Sequence, residues 1–355
     1  MTKLAVLVTA AACAWTVADD WQIGPFTRPT DEPVIAPNRE SVFRNPIDGK
    51  PVHWEALHTF NPAAIVGDGK IYVIYRAEDD SGEIGIGMHI SRLGLAESDD
   101  GIHFRRRPEP VLYPDNDLER EREWPGGCED PRIVEREDGT YVLTYTQWNR
   151  RKTDAAIATS KDLMHWTKHG PMFGTDGKYA ALSYKSAGIV TRVERGRPIA
   201  AKIDGKYWMY WGEGTVRLAT SNDLVHWKPV DDASGDPVAV LAKRAGRFDS
   251  SFPETGPPPL LTERGIMVLY NGKDATTSVY AVGEALFAAD DPGKLLARTD
   301  EPVFQPERAF EKTGQYSAGT TFAEGLVWFR NRWFLYYGCA DSLVGVAVGP
   351  QRSAP

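Results

Sequence analysis

The sequence predicts an all-β protein, a five-bladed β-propeller with a central funnel, and three observations carry that prediction. One turn-and-strand pattern recurs five times along the 355 residues. The copies are almost evenly spaced, which marks a repeated supersecondary unit. The segments alternate with period two, and no stretch shows the periodic apolar face of a helix.

The five copies are DGKIYVIYRAED (68–79), DGTYVLTYTQWN (138–149), DGKYWMYWGEG (204–214), RGIMVLYNGKD (264–274) and NRWFLYYGCAD (331–341). Each opens on a turn pair, Asp-Gly, Arg-Gly or Asn-Arg, and continues with aromatic and β-branched residues. Aligning the tyrosines equates Tyr75, Tyr145, Tyr210, Tyr270 and Tyr336, at intervals of 70, 65, 60 and 66 residues. A second echo lies between them: ESDDGIHF (97–104), TSKDLMHW (159–166) and TSNDLVHW (220–227), with a degenerate copy over 288–304. His103, His165 and His226 therefore mark a structural turn outside the funnel. The 337 residues after position 18 leave about 67 per copy. That is room for a four-stranded blade, and closing the blades into a ring leaves only short, protected edges.

Residues 1–18 are different in kind. Lys3 precedes an apolar run from Leu4 to Val17, and Thr16-Val17-Ala18 precedes two aspartates. A basic start, a short apolar core and a small-residue end predict a signal peptide cleaved after Ala18, too short to span a bilayer. The expected organisation is a signal peptide at 1–18 and one catalytic propeller domain over 19–355, exported to the periplasm or the exterior. Cys13 follows three alanines without the leucine usual in a lipoprotein signal, which disfavours a lipid anchor. No later segment predicts stable membrane insertion. The oligomeric state is not legible in the sequence.

The net charge of −8, with no basic run, excludes a nucleic-acid binder. Eleven tryptophans, fourteen tyrosines and thirteen phenylalanines suit packing between sheets, and aromatic faces are also common in carbohydrate sites. Cys128 and Cys339 fall in different copies; free packed thiols are favoured over a disulfide. With two cysteines after the signal segment and no histidine cluster, neither a metal nor a cofactor is expected.

In a propeller the innermost strands line the channel. The candidate inner strands are TFNPAAIV (59–66), CEDPRIV (128–134), SYKSAGIV (183–190), SSFPETGPPPL (250–260) and GTTFAEGLV (319–327). Their polar residues, Asn61, Asp130, Lys185, Glu254 and Glu324, enter apolar stretches at like positions. Burying each of them unpartnered would cost several kcal/mol. Either they bond to one another and to free backbone, or five of them converge on a ligand in one funnel.

Asn61-Pro62-Ala63, Tyr75-Arg76, Gly127-Cys128-Glu129-Asp130-Pro131-Arg132, Glu254-Thr255-Gly256-Pro257-Pro258-Pro259 and Tyr337-Gly338-Cys339-Ala340-Asp341 together resemble glycoside hydrolase family 130. The resemblance runs from about residue 40 to 350. It implies a five-bladed propeller that acts on β-mannosides with inversion, either by phosphorolysis or, in a smaller group, by hydrolysis of β-1,2-linked mannosides.

By the same resemblance Asp130 is the general acid, passing its proton through the sugar 3-hydroxyl. Asn61, Arg76 and Asp341 become ligands of the mannosyl unit. Arg132 would hold the acidic pair by a charge-assisted bond. Glu129 would either brace a neighbouring blade or join the sugar-binding set. Where phosphorylases of the family tend to carry His-Arg and Tyr-His-Gly, this chain has Trp211-Gly212-Glu213 and Tyr270-Asn271-Gly272. A glutamate on the phosphate face would repel a dianion, so Glu213 and Glu254 read as the water-activating pair, unranked. Asn271 falls in the substrate-binding set. Lys185 is either a phosphate ligand or a partner of sugar hydroxyls and a neighbouring glutamate.

The expected function is thus an exported inverting β-mannoside hydrolase acting on a mannoside oligosaccharide, since an exported phosphorylase would lose its sugar phosphate. Two alternatives stand beside it: a β-mannoside phosphorylase, and a non-catalytic sugar-binding propeller. A glycosidase of the arabinanase or fructosidase kind would need an early aspartate motif that is absent.

Overall fold

A computed structural model describes residues 21–351. The signal-peptide expectation for 1–18, Cys13 included, lies outside the described residues.

The strand pairings resolve into antiparallel meanders, each with an inner, a middle and an outer strand. The first is β1 (His58–Gly67), β2 (Lys70–Glu78) and β3 (Ser91–Ser98). The second is β4 (Gly127–Glu135), β5 (Tyr141–Trp148) and β6 (Thr153–Ser160). In the third, β7 (Ala187–Ile189) is only three residues long and pairs with β8 (Lys206–Trp211), then β9 (Thr215–Ser221). A hairpin, Thr191–Glu194 with Arg197–Ala200, interrupts this copy after β7. The fourth is β10 (Phe252–Thr255), β11 (Gly265–Lys273) and β12 (Tyr280–Phe287). The fifth is β13 (Thr321–Phe329), β14 (Arg332–Cys339) and β15 (Leu343–Val348).

Asp68-Gly69 and Asp204-Gly205 are hairpin centres as expected, whereas the last copy turns at Arg330-Asn331 rather than Asn-Arg, the fourth at Glu263-Arg264, and Asp138-Gly139 sits in a longer loop. A two-residue hairpin matching the twist of its strands needs left-handed backbone at both central residues. Asp68-Gly69, Asp204-Gly205 and Arg330-Asn331 all have positive φ, between 49° and 76°. Five buried apolar clusters lie one between each consecutive pair of meanders. The cluster joining the fifth meander to the first contains Val327 and Tyr336 with Val73 and Tyr75, so the ring closes. The N-terminal segment locks it: Thr27 bridges Val348 and Ile35 bridges Val344 on the outer edge of β15. The fold is a β-propeller. Among the described residues no helix is long and apolar enough to cross a membrane.

The structure corrects the tyrosine alignment. Tyr75, Tyr145 and Tyr270 face the preceding meander, whereas Tyr210 and Tyr336 face the following one. The like-facing residues in copies three and five are Trp211 and Tyr337. Function follows that register. The four like-facing tyrosines each donate a hydroxyl hydrogen bond to a buried carboxylate: Tyr75 to Glu55, Tyr145 to Glu123, Tyr270 to Asp249 and Tyr337 to Glu311, at 2.7–2.9 Å. Each carboxylate also meets a cation, respectively Arg106, Lys168, Arg298 and Arg28. Trp211 has no such partner, and its indole nitrogen is buried without a bond.

The second echo is an exposed turn, as expected. Ser98, Ser160 and Ser221 accept backbone N–H bonds, and Asp100, Asp162 and Asp223 pair with His103, His165 and His226 at 2.7–2.8 Å. The three histidines are each about 86% exposed. Cys128 and Cys339 are free and buried.

Removing one partner from a buried ion network leaves an uncompensated charge, at a cost of about 3–5 kcal/mol. Asp249 is fully buried between Arg244 and Arg298. Asp249→Ala is therefore expected to lower unfolding free energy by about that amount in urea titration. Asp162→Ala, in an exposed turn, is expected to cost about 1 kcal/mol or less.

Candidate active site

Three inner strands carry a β-bulge at a polar residue. The pairing of β1 with β2 skips Asn61, that of β4 with β5 skips Asp130 and Pro131, and that of β13 with β14 skips Glu324. A bulge adds an unpaired residue and re-aims its side chain, and such kinks gather at active sites. Asn61 and Asp130 both have φ of 47°, a left-handed conformation that Asn and Asp tolerate better than most residues. Each is followed by proline, whose missing N–H costs nothing where the ladder is already broken. Close packing of these strands demands glycine beside the third bulge: a Cβ on Gly325 would lie 2.8 Å from the Pro62 carbonyl oxygen.

The side chains meet in a cavity of about 190 Å³ lined by Asn61, Arg76, Glu129, Asp130, Lys185, Glu254 and Asp341 together with Glu78 and Gln315. Phe60, Trp148, Tyr280 and Phe322 supply aromatic walls, and Ile86 stands at the edge.

Arg76 organises one side. Its guanidinium contacts Asp130 at 3.2 Å, Glu129 at 2.9 Å and Glu78 at 2.7 Å, and its Nε donates to Ser91. Asn61 donates to Asp130 Oδ1 at 2.8 Å. Glu129 is thereby joined to the neighbouring meander through Arg76. Burial alone would raise Asp130, but the cations Arg76, Lys185 and Arg132 outweigh it and hold this carboxyl below its ordinary value. Burial raises Glu129 to about 7 against the pull of Arg76, with Asp130 adding to the rise. Asp130 is thus held low and Glu129 high, and the two carboxyls titrate as one pair. Asp341 is raised to about 6 by burial, opposed by Arg76 and reinforced by Asp130.

The other side is built by copies three and four. The Glu213 and Glu254 backbones form an antiparallel bridge, which sets the two glutamates abreast. Lys185 Nζ lies 3.6 Å from Glu213 and 4.0 Å from Glu254, and these carboxylates outweigh burial to keep it protonated. Glu254 is buried, with its Oε1 accepting from Ser186 Oγ, whereas the Glu213 side chain is 42% exposed and stands outside the cavity lining. Burial raises Glu254 to about 7, with Lys185 opposing and Glu213 adding.

Two expected ligands of substrate do not reach the cavity. Arg132 does not hold the acidic side chains; it donates to the Asp130, Thr255 and Gly256 carbonyls and pairs with Glu324. Asn271 spends both ends of its amide on the Ala323 backbone, at 3.0 and 2.8 Å, clamping the fourth meander to the fifth.

Four contributors were not foreseen. Glu78 holds Arg76 and accepts from Gln315, Tyr280 walls the cavity, and Ser186 touches Glu254. Ser186 had a signal. Counted back from Ile133-Val134 and Ile189-Val190, it occupies the column of Asp130 and shares its positive φ, at 58°. The others lie at strand ends or in a loop.

A histidine cluster also forms where none was expected. Ligand atoms of His58, Glu78 and His89 lie within 4.8 Å of one another. Both Glu78 oxygens already accept bonds, from Arg76 and Gln315, and the guanidinium 2.7 Å away opposes a second cation.

The profile of glycoside hydrolase family 130, described as beta-1,4-mannooligosaccharide phosphorylase, matches residues 33–353. The chain belongs to glycoside hydrolase family 130. A 1,2-beta-oligomannan phosphorylase of Thermoanaerobacter sp. (strain X514) is 34% identical over 90% of this chain and 96% of its own. A beta-1,2-mannobiose phosphorylase of the same strain is 30% identical over 91% and 96%. A solved structure described as "The GH130 family of mannoside phosphorylases contains glycoside hydrolases that target beta-1,2 mannosidic linkages in Candida mannan" is 51% identical, with a TM-score of 0.92 over 95% of this chain and 97% of that one. The family 130 chain described here thus carries the family's propeller with an acidic pair on one side and a Glu-Lys-Glu group on the other.

Glu254 and Glu129, both raised to about 7, set the expected pH response. A base must be ionised, so activity falls as pH drops through the Glu254 value of about 7. The acidic pair loses its proton as pH rises through about 7, which removes the acid form. Initial rates at low substrate should trace a narrow bell centred near neutrality. Ser186→Ala should move the acidic limb upward by about half a unit or more, because the bond stabilising the carboxylate is lost.

Proposed function

We propose that this family 130 member hydrolyses the terminal β-mannosidic bond of short mannose oligosaccharides, β-1,2-linked ones foremost, with inversion. The observation that carries the reading is the Glu213–Lys185–Glu254 group beside the sugar cavity. Orthophosphate needs a surplus of cations and neutral donors. Here two carboxylates flank one lysine, so a dianion meets net repulsion, whereas a water molecule meets an acceptor. Glu254, buried and braced by Ser186, takes the proton from water. Glu213, at the rim with Lys185, orients that water. The Glu129–Asp130 pair supplies the proton to the leaving oxygen, by way of the sugar 3-hydroxyl in the manner of the family, and Arg76, Asn61 and Asp341 hold the mannosyl unit. The 51% identity to a structure described in terms of hydrolases supports water as acceptor, as does export if residues 1–18 act as a signal peptide.

The second reading is phosphorolysis, favoured by the names of the relatives at 34% and 30% identity. Incubation with β-1,2- and β-1,4-mannobiose, with and without phosphate, separates the two. The expected product is mannose, released at a rate indifferent to phosphate and as the α-anomer by NMR at early times. Phosphate-dependent mannose 1-phosphate would establish the second reading instead.

Asp130→Asn and Glu254→Gln are each expected to lower kcat by about 10²–10⁴-fold while mannobiose binding persists by calorimetry. Turnover at the wild-type rate in either variant would remove that residue from the proton transfers, and a wild type that binds mannobiose without turning it over would leave only a sugar-binding propeller.

A further inference from the structure

The proposed acid and base stand on different meanders, and we propose that Arg132, braced by its buried contact with Glu324, is the positioning residue that sets the gap between them. The inference rests on the assignment of Asp130 and Glu254 made above.

No ladder pairs β4 with β10, and between these copies stands the third meander, whose inner strand is only three residues long. Backbone pairing links the two copies only through the inserted hairpin, Glu135 with Ile199 and Thr191 with Leu260, five and six residues along the chain from Asp130 and Glu254. Arg132 does span the gap. Its Nη1 donates to the Asp130 carbonyl at 3.1 Å, its Nη2 to the Thr255 carbonyl at 2.8 Å and its Nε to the Gly256 carbonyl at 3.2 Å. One end is the acid's own peptide, and the other is the residue after the base. The guanidinium is planar, so these three bonds hold the two backbones at a set distance and angle.

Beneath the cavity a carboxyl lies against the guanidinium, and burial pushes it well above its ordinary value despite Arg132. Glu324, delivered by the bulge in β13, places Oε1 3.0 Å from Arg132 Nη1. Both residues are essentially sealed from solvent, and no hydrogen-bond donor is aligned on either Glu324 oxygen. Neither residue lines the cavity. They act on the sugar only through the groups they place. In an inverting enzyme the carboxyl separation must admit a water beside the sugar, so a slack gap slows the chemical step while leaving sugar binding intact.

Arg132→Lys tests this, because an ammonium keeps the charge but replaces the rigid fork with a single flexible point. With folding unchanged by circular dichroism, kcat on β-1,2-mannobiose should fall about 10–100-fold, KM should stay within about threefold, and the pH limbs should not move. Glu324→Gln, nearly isosteric, should lower kcat by about 3–10-fold with the same indifference of KM, and stands in if Arg132→Lys does not fold. An unchanged kcat in the folded variant, or a raised KM at constant kcat, overturns the role. Running wild type with and without phosphate keeps the two claims apart. Mannose 1-phosphate from wild type would sink water as acceptor, while the variant-to-wild-type ratio of kcat still judges Arg132.

Discussion

Charge at the propeller axis is the constraint around which the rest is arranged. Seven carboxyls converge there, Glu78, Glu129, Asp130, Glu213, Glu254, Glu324 and Asp341, against the cations Arg76, Lys185 and Arg132. Buried ionised groups survive only when paired and hydrogen-bonded. The surplus is met by holding some carboxyls protonated near neutrality, as the raised values of Glu129, Asp341 and Glu254 reflect. Groups that titrate near working pH are what acid–base chemistry needs. The same imbalance that strains the fold poises the site.

The sheet geometry explains why so many charged residues arrive at one place. An inner strand alternates faces, and both faces are covered by neighbouring meanders, so a regular strand has nowhere to send a polar side chain. The bulges at Asn61, Asp130 and Glu324 break that alternation and aim these residues inward. The outer tyrosine–carboxylate–cation networks answer the same problem at mid-blade, where each buried acid takes a tyrosine hydroxyl and a cation from another strand.

Much of this was legible in the sequence, and what was not has a physical reason. The repeat, the turn chemistry and the inner-strand polar residues were readable because spacing and residue type suffice for them. Facing was not. Tyr210 and Tyr336 align by eye with Tyr75, yet face the other way, because one residue of slip in a strand exchanges its two faces. A polar residue in an apolar strand has two solutions, toward the cavity or onto a neighbour's backbone. Asp130 and Glu254 take the first, while Arg132 and Asn271 take the second. Composition does not distinguish them, since the choice depends on strand register and, at Asp130, on the bulge that breaks it. Glu78, Tyr280 and Gln315 were missed for another reason: each lies at a strand end or in a loop, where strand alternation does not fix the facing. His58 and His89 meet only because β1 and β3 flank the same middle strand.

The acceptor side of the site pairs Glu254 of the fourth copy with residues of the least regular one. The third meander has a three-residue inner strand and an inserted hairpin, and it carries Trp211 where four other copies keep a tyrosine bound to a buried acid. It has no mid-blade charge network to maintain. Lys185, Ser186 and Glu213 all come from this copy, whereas Asn61, Arg76, Glu129 and Asp130 come from the two copies whose networks are intact. The Asn61–Arg76–Glu129–Asp130 side is thus tied to the charge networks of the ring, as is Glu254, whereas Lys185, Ser186 and Glu213 are not. A changed acceptor face would disturb few buried charges outside the cavity, so exchange between water and phosphate is physically cheapest in this meander. That asymmetry gives one propeller frame a route to both hydrolysis and phosphorolysis without rebuilding its acid side.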